Sequence, residues 1–402
     1  MGELSSSEQD IVERAAAEPM LDQVLAWSAV NSGSLNLGGL ERMADLLADA
    51  FSALPGVLRL ENPARVESVD AAGKTLDIAH GRHLHLTVRP TAPVQLLFTG
   101  HMDTVYGADH AFQQTHWIEE TVLGGPGVAD MKGGIAVMLA ALKAVETSRG
   151  NDRVGYEVVI NSDEEVGSPA SAELLARAAA GKHAALTYEP AALPDGTLAG
   201  ARPGSGNFSF VVRGRSAHAG RNPEDGRNAI VAASELALRL AMSKTPGLSI
   251  NPARIDGGGP NNVVPDLAIL RVNLRPRTAD DQEIAQRLIA KAVEETAKQH
   301  DVFIEAHGGF GRPPKPLSEE AEALFGLVKR AGADLGQEIG WQPSGGVCDG
   351  NNIAACGVPV VDTMGVRGGK IHSTEEYLIV DSLAERAALS ALTILRLGDR
   401  AA

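Results

Sequence analysis

Four short segments of the chain each place a histidine or an acidic residue at or just beyond the end of a strand-like run: LLFTGHMDTVYG, GGPGVADMKGG, VVINSDEEVGS and LTYEP. They carry His101, Asp103, Asp130, Glu164, Glu165 and Glu189, and a fifth segment, GGKIHSTEEY, adds His372. Two imidazoles, an isolated aspartate and several carboxylates at strand ends describe a site for two divalent cations, and two cations close together usually mean hydrolysis. With His101, Asp130, Glu165, Glu189 and His372 as ligands and Glu164 as a free base, the carboxylates bring about −4, which two Zn²⁺ ions would cancel. Without cations such a cluster has to protonate or spread apart.

Each motif contributes differently. In GHMDTVYG, Asp103 can face the second ring nitrogen of His101 and fix its tautomer, as metal-bound histidines need. Alone, the pair is weak evidence, since a core histidine beside a turn aspartate gives the same pattern. Asp130 stands between two glycine pairs just before a helix, and glycine permits the close backbone approach that a bridging carboxylate needs. A phosphate loop is excluded there by the missing Gly-Lys-Ser/Thr ending and by Asp130 itself. In SDEEVGS, Glu165 suits a ligand, and Glu164 suits a base that takes a proton from a water between the cations. The bland alternative is an acidic helix N-terminus. Glu189 and His372 gain weight only from the set. His80, His83 and His85 read as a solvated strand edge.

Composition narrows the classes. At 402 residues the chain is long enough for two domains, and its 44% apolar and 22% charged content is ordinarily globular. No run of apolar residues is long enough for a membrane span. The N-terminal segment is polar and acidic, unlike a signal peptide. Gly2 invites a myristoylation test, but no second anchoring signal accompanies it. Cys348 and Cys356 have neither metal nor redox spacing and read as two free, buried thiols. A net charge of −15 argues against nucleic acid or an anionic membrane as partner. Residues 203–314 hold 14 basic and 12 acidic residues, leaving 22 and 39 elsewhere, so the middle segment is electrostatically distinct.

The elements that must position these residues can be read in outline. VQLLFTG, YEVVINS and HAALTYEP read as strands, separated by the helices GGIAVMLAALKAVETS and SAELLARAAAG. This βαβα order predicts an α/β domain with a mainly parallel sheet, and most of the proposed ligands then follow strands, where open sheets bind ligands. From NFSFVVRG the pattern changes to strand, helix, two strands and a long helix, a compact α+β unit. After GRPPKPLSEE the α/β character resumes, with VPVVDTMG as a strand. The expected organisation is a catalytic domain of residues 1–202 and 315–402, interrupted by a smaller unit at 203–314.

The order HxD, GGxGxxDMKGG, DEEVGS, EP, GRSAHAG, NNVVP and a late histidine resembles the dizinc metallopeptidase family of glutamate carboxypeptidase, acetylornithine deacetylase and aminoacylase, from about residue 95 onward, and is nearer the glutamate carboxypeptidase branch. The resemblance implies His101 and Glu189 on one zinc, Glu165 and His372 on the other, Asp130 as the bridge and Glu164 as the base. It implies a ferredoxin-like lid that also dimerises, with His218 reaching the partner subunit's site to stabilise the oxyanion. Asn262, Arg275 and Arg312 are implied to contact a substrate carboxylate, a task that suits a planar guanidinium. The loops SGGVCDGNN and GVRGGKIHS depart from the family pattern, and with Cys348, Arg367 and Lys370 they are expected to line the specificity pocket.

These readings give an enzyme that hydrolyses an amide beside a free carboxylate, in the manner of a carboxypeptidase. An N-acyl-amino-acid deacylase is the alternative, and a non-hydrolytic binding protein of the same fold is the alternative from another class. The expected cofactors are two divalent ions, zinc first, with cobalt or manganese as alternatives. The expected partners are a small amide or peptide substrate and a second copy of the chain. The polar N-terminus points to the cytoplasm.

Overall fold

A six-stranded sheet runs in the order Val57–Glu61, His83–Val88, Val154–Asn161, Val94–His101, Ala184–Thr187 and Val360–Val361, and the residues of its four parallel strands are almost all buried. The structure, a computed structural model, describes residues 4–148 and 151–399, so Gly2 lies outside the described residues. The last four strands run parallel, and His83–Val88 is antiparallel to both its neighbours. Period-two alternation sends successive residues to opposite sides of such a sheet. Leu96 and Phe98 join a large core with the helices Ser6–Ala16, Met20–Ser28, Gly133–Glu146, Glu319–Asp334 and Asp381–Asp399. Leu97, between them, joins a smaller core with Ala172–Ala179 and Asp349–Ala355. His101 is in register with Asn161, and Thr99 with Thr187. The carboxyl ends of three parallel strands therefore lie side by side.

Two sequence expectations fail at the sheet. VPVVDTMG contributes only Val360–Val361, because Asp362 turns away to pair with Arg202 and Lys315 at 2.8 Å each. The histidines at 80, 83 and 85 do not form a solvated edge. His83–Val88 is the second strand of six, so His80 and His83 are buried, and His85 sits between Glu61 and Glu157 at 2.6 and 2.5 Å.

A second unit has its own core. Its strands are Ser205–Arg213, Leu248–Gly257, Leu267–Pro276 and Phe303–Arg312, antiparallel throughout, with the helices Ala229–Met242 and Ala279–His300. Phe210, Val212, Leu270, Val272 and Leu274 pack with residues of both helices, such as Leu236 and Ile289. Phe303–Arg312 is a fourth strand absent from the sequence reading. Its Gly308–Gly309 pair, with Gly308 at φ 89°, masks the alternation that would reveal a strand. No helix among the described residues is long and apolar enough to cross a membrane.

Candidate metal centre

His101 is the last residue of Val94–His101 and is 1% exposed. Its Nδ1 lies 3.0 Å from the Asp103 carbonyl oxygen and 3.4 Å from the Asp103 carboxylate. Nε2 is thereby turned to Asp130 Oδ1, 3.1 Å away, and Glu189 Oε2, 3.7 Å away. The nearer partner of Nδ1 is thus the carbonyl, while the Asp103 carboxylate accepts from the backbone N–H groups of Glu164 and Glu165, at 3.1 and 3.2 Å, and from Ser34 Oγ at 2.7 Å. It therefore ties the HxD turn to the DEEVGS turn.

Asp130 lies on the Val128–Lys132 turn that leads into Gly133–Glu146. Two glycines are required here by geometry. Gly127 adopts φ 73°, and a Cβ on Gly134 would stand 1.9 Å from the Tyr188 carbonyl oxygen. That close approach brings the Tyr188–Glu189 backbone against the start of the helix that follows Asp130. His372 has φ 61°, an uncommon conformation for a residue other than glycine. Its Nε2 reaches Glu165 Oε2 at 3.0 Å and Asp130 Oδ2 at 3.3 Å. The two oxygens of Asp130 thus face different histidines.

The electrostatics state what the cluster requires. Burial pushes Glu165 up to about 7, with Asp130 adding to the shift. Burial also raises Glu189, and it raises Glu164 strongly against the pull of Arg312. Hydrogen bonds donated to Asp130 and Glu165 lift His372 to about 11. Burial alone would lower His101, but Glu189, Asp103 and Asp130 hold it well above the usual imidazole range. Crowded, desolvated carboxylates facing two imidazoles are a donor set suited to divalent cations. His101, Asp130 and Glu165 present one compact group of ligand atoms, and His101, Glu164 and Glu189 another.

Arg312 has partners other than a substrate carboxylate. It is 3% exposed, and its Nη2 donates to Glu164 Oε1 at 2.6 Å and to the Glu164 carbonyl at 3.0 Å. Its Nη1 donates to Asp349 Oδ1 at 2.9 Å. Arg275 is exposed and holds the Gly345 carbonyl at 3.1 Å through Nη1. His218 and Asn262 are exposed neighbours, joined by the Ala219 N–H to the Asn262 carbonyl, and neither lines the cleft beside the cluster. Arg367 and Lys370 do not line it either. Arg367 is held by Glu385 at 3.0 Å and by the Pro194 carbonyl, and Lys370 faces Glu375. Cys348 is buried and lines a cavity against Glu164 and Glu189, whereas Cys356 is exposed, contrary to expectation.

Sequence reasoning missed Glu376, four residues after His372. Its carboxylate accepts from the N–H groups of Gly127, Ala129 and Asp130, at 3.2, 3.0 and 3.1 Å, and from Tyr106 Oη at 2.9 Å. Burial, with Asp130 beside it, pushes Glu376 up to about 7 despite those donors. A second acidic residue in HSTEEY was the only sign of it.

Glu164, Glu165 and His372 open into a cleft of about 910 Å³, walled on its far side by the second unit, with Asn273, Arg275 and Phe310. The arrangement can bind cations at the sheet edge and hold an amide against them. The chain is 31% identical over 312 residues to carboxypeptidase G2 of Pseudomonas sp. strain RS-16, covering 75% of this chain and 74% of that protein. It is 27% identical over 355 residues to a succinyl-diaminopimelate desuccinylase of Pseudomonas fluorescens, covering 83% and 88%. A tripeptidase from Staphylococcus aureus superposes with a TM-score of 0.72 at 22% identity, over 99% of this chain and 100% of the other, which shows a shared fold. Residues 97–396, which contain every cluster residue and the second unit, match the model of peptidase family M20/M25/M40, and the chain belongs to that family.

Proposed function

We propose that the chain hydrolyses an amide bond beside a free carboxylate, as a carboxypeptidase, at a pair of divalent cations, zinc first. The observation that carries this reading is the convergence of His101, Asp130, Glu164, Glu165, Glu189 and His372 at one sheet edge. His101 and Glu189 would hold one ion, Glu165 and His372 the other, and Asp130 both. Ions bound there polarise a carbonyl and lower the pKa of water. Glu164 takes the water's proton and delivers it to the leaving nitrogen. Arg312 aims Glu164 through a partly buried bond of 2.6 Å. Asp103 holds the turn that carries Glu164 and Glu165.

Residues 1–202 and 315–402 act as the catalytic domain and 203–314 as a lid. Arg275 takes the substrate carboxylate, since its guanidinium is exposed on the cleft. His218 and Asn262 act on the partner subunit's site in a homodimer, which accords with their exposure outside this chain's own cleft. The setting is cytoplasmic. The likeness to a desuccinylase favours a second reading, an N-acyl-amino-acid deacylase with the same chemistry. Exhaustive dialysis against a chelator should abolish amine release, and Zn²⁺ or Co²⁺ should restore it. Release from C-terminal glutamyl or aspartyl peptides, set against acetyl- and succinyl-amino acids, separates the two readings. Full activity in metal-free protein would refute both.

A further inference from the structure

The cleft beside the cluster does not end there. It shares Val166, Pro169, Asn207 and Asn273 with a second cavity of about 610 Å³, so the two form one groove. One wall is a face of the lid sheet, where Asn207 and Ser209 alternate on one strand and Arg271, Asn273 and Arg275 on the next. Asn207 pairs in register with Asn273, and Ser209 with Arg271. The other wall includes a hairpin of the catalytic domain, Val66–Val69 and Thr75–Ile78. That hairpin is fastened to the lid. Arg271 Nη2 donates to the Val69 carbonyl and Arg213 Nη2 to the Gly73 carbonyl, both at 2.9 Å, and Val69 packs with Val211 and Ile269. The groove is therefore a built channel and not a loose gap.

Its direction and chemistry are readable. Arg275 stands in the cleft beside Glu164 and His372 but not in the second cavity, while Arg271 stands in the second cavity. A substrate with its carboxylate on Arg275 sends its acyl portion the other way, past Val166. The charges met there are already paired, Arg271 with Asp256 at 3.3 Å and Glu67 with Arg65 at 2.9 Å. The Asn207 carboxamide nitrogen has no bonding partner among the described residues, whereas its oxygen accepts from Asn273 at 2.8 Å. Leu35, Val66 and Val166 line the same space.

We propose that the acyl portion of the substrate is an extended, uncharged chain with carbonyl acceptors and apolar side groups, a peptidyl chain and not an acetyl or succinyl group, and that it lies along the lid sheet into the second cavity. This rests on the amide-hydrolase reading above. Arg275 is four residue steps along the strand from Arg271, about 13 Å, which is room for about four residues of extended chain.

The test compares an N-acetyl amino acid with a tetrapeptide ending in the same amino acid, on the metal-loaded dimeric or monomeric protein as isolated. The wild type should prefer the tetrapeptide by at least about tenfold in kcat/KM. Ser209→Phe and Ala253→Trp, each filling the second cavity from a different strand, should bring that ratio to about one, chiefly through KM for the longer substrate. A wild type without length preference, or variants that lower both substrates by the same factor, would overturn the proposal. If neither substrate is cleaved, the hydrolase reading has failed instead. Calorimetric binding of the tetrapeptide then decides the groove separately, because equal binding by wild type and both variants, or none by the wild type, overturns it.

Discussion

Replacing Glu164 with glutamine removes a proton acceptor and leaves a side chain of nearly the same shape beside Arg312. In the structure this carboxylate touches Arg312 at 2.6 Å and lies within a compact ligand group with His101 and Glu189, so it competes for two roles, base and ligand. The cost to the fold is small. A charged hydrogen bond contributes about 1.5–3 kcal/mol. Arg312 keeps Asp349 at 2.9 Å, and the amide oxygen of glutamine still accepts. The change also removes repulsion from Glu189 and Asp349. The unfolding free energy should therefore fall by less than about 1.5 kcal/mol. The cost to turnover is large. Losing the general base should lower kcat by about 10²–10⁴, or roughly 3–5 kcal/mol of barrier, with KM changed only a few-fold. Amine release measures the first, denaturant unfolding the second, and elemental analysis the bound metal, which should stay at the wild-type level. Loss of metal from the variant would refute the assignment and make Glu164 a ligand. Retention of kcat within about tenfold would refute the base altogether.

Three further outcomes follow from the same contacts. Arg275→Ala should lower kcat/KM by about 1.5–3 kcal/mol equivalent for a substrate with a free carboxylate and by nothing for its amide, whereas Arg312→Ala should lower both alike and destabilise the fold by about 3–5 kcal/mol, because it leaves two buried carboxylates unpaired; unfolding curves and paired substrates distinguish them. Mixing His218→Ala with Glu164→Gln protein should recover activity through hybrid dimers, and a fully active monomer by light scattering would count against a trans role. Metal-free protein should lose stability between about pH 4.5 and 7: Glu165 and Glu376 have folded values of about 7, above their ordinary 4.5, so their contribution is fully present below 4.5 and is lost as pH rises through 7. Metal binding favours the deprotonated ligands, so the gap in Tm between metal-loaded and metal-free protein should widen over that range; a constant gap by calorimetry would contradict it.

The sequence by itself determined the parts whose signal is local. Apolar runs ending in HxD, DEEVGS and EP mark parallel strands and the residues at their carboxyl ends, because strand period and turn chemistry are written within a few residues. The long amphipathic helices Ala279–His300 and Asp381–Asp399 are legible for the same reason. Where the local signal is weak the reading fails, as at the glycine-broken strand Phe303–Arg312 and at the histidines of His83–Val88, whose burial depends on a neighbour on each side.

Tertiary structure alone decided which charges meet. Arg312 is 148 residues from Glu164 and 37 from Asp349, and nothing in FGRPP distinguishes a guanidinium held between two buried carboxylates from one open to substrate. Glu376, 246 residues from Asp130, is likewise an ordinary surface-type acid in sequence, yet it holds the backbone of the Asp130 turn. The groove between the second unit's sheet and the Val66–Ile78 hairpin exists only because two distant segments are fastened face to face. Periodicity reports which face of an element is apolar. It carries no information about which distant element that face, or a lone charge on it, will meet, since that is set by the packing of the whole chain and by the burial cost that forces each buried charge to find a partner.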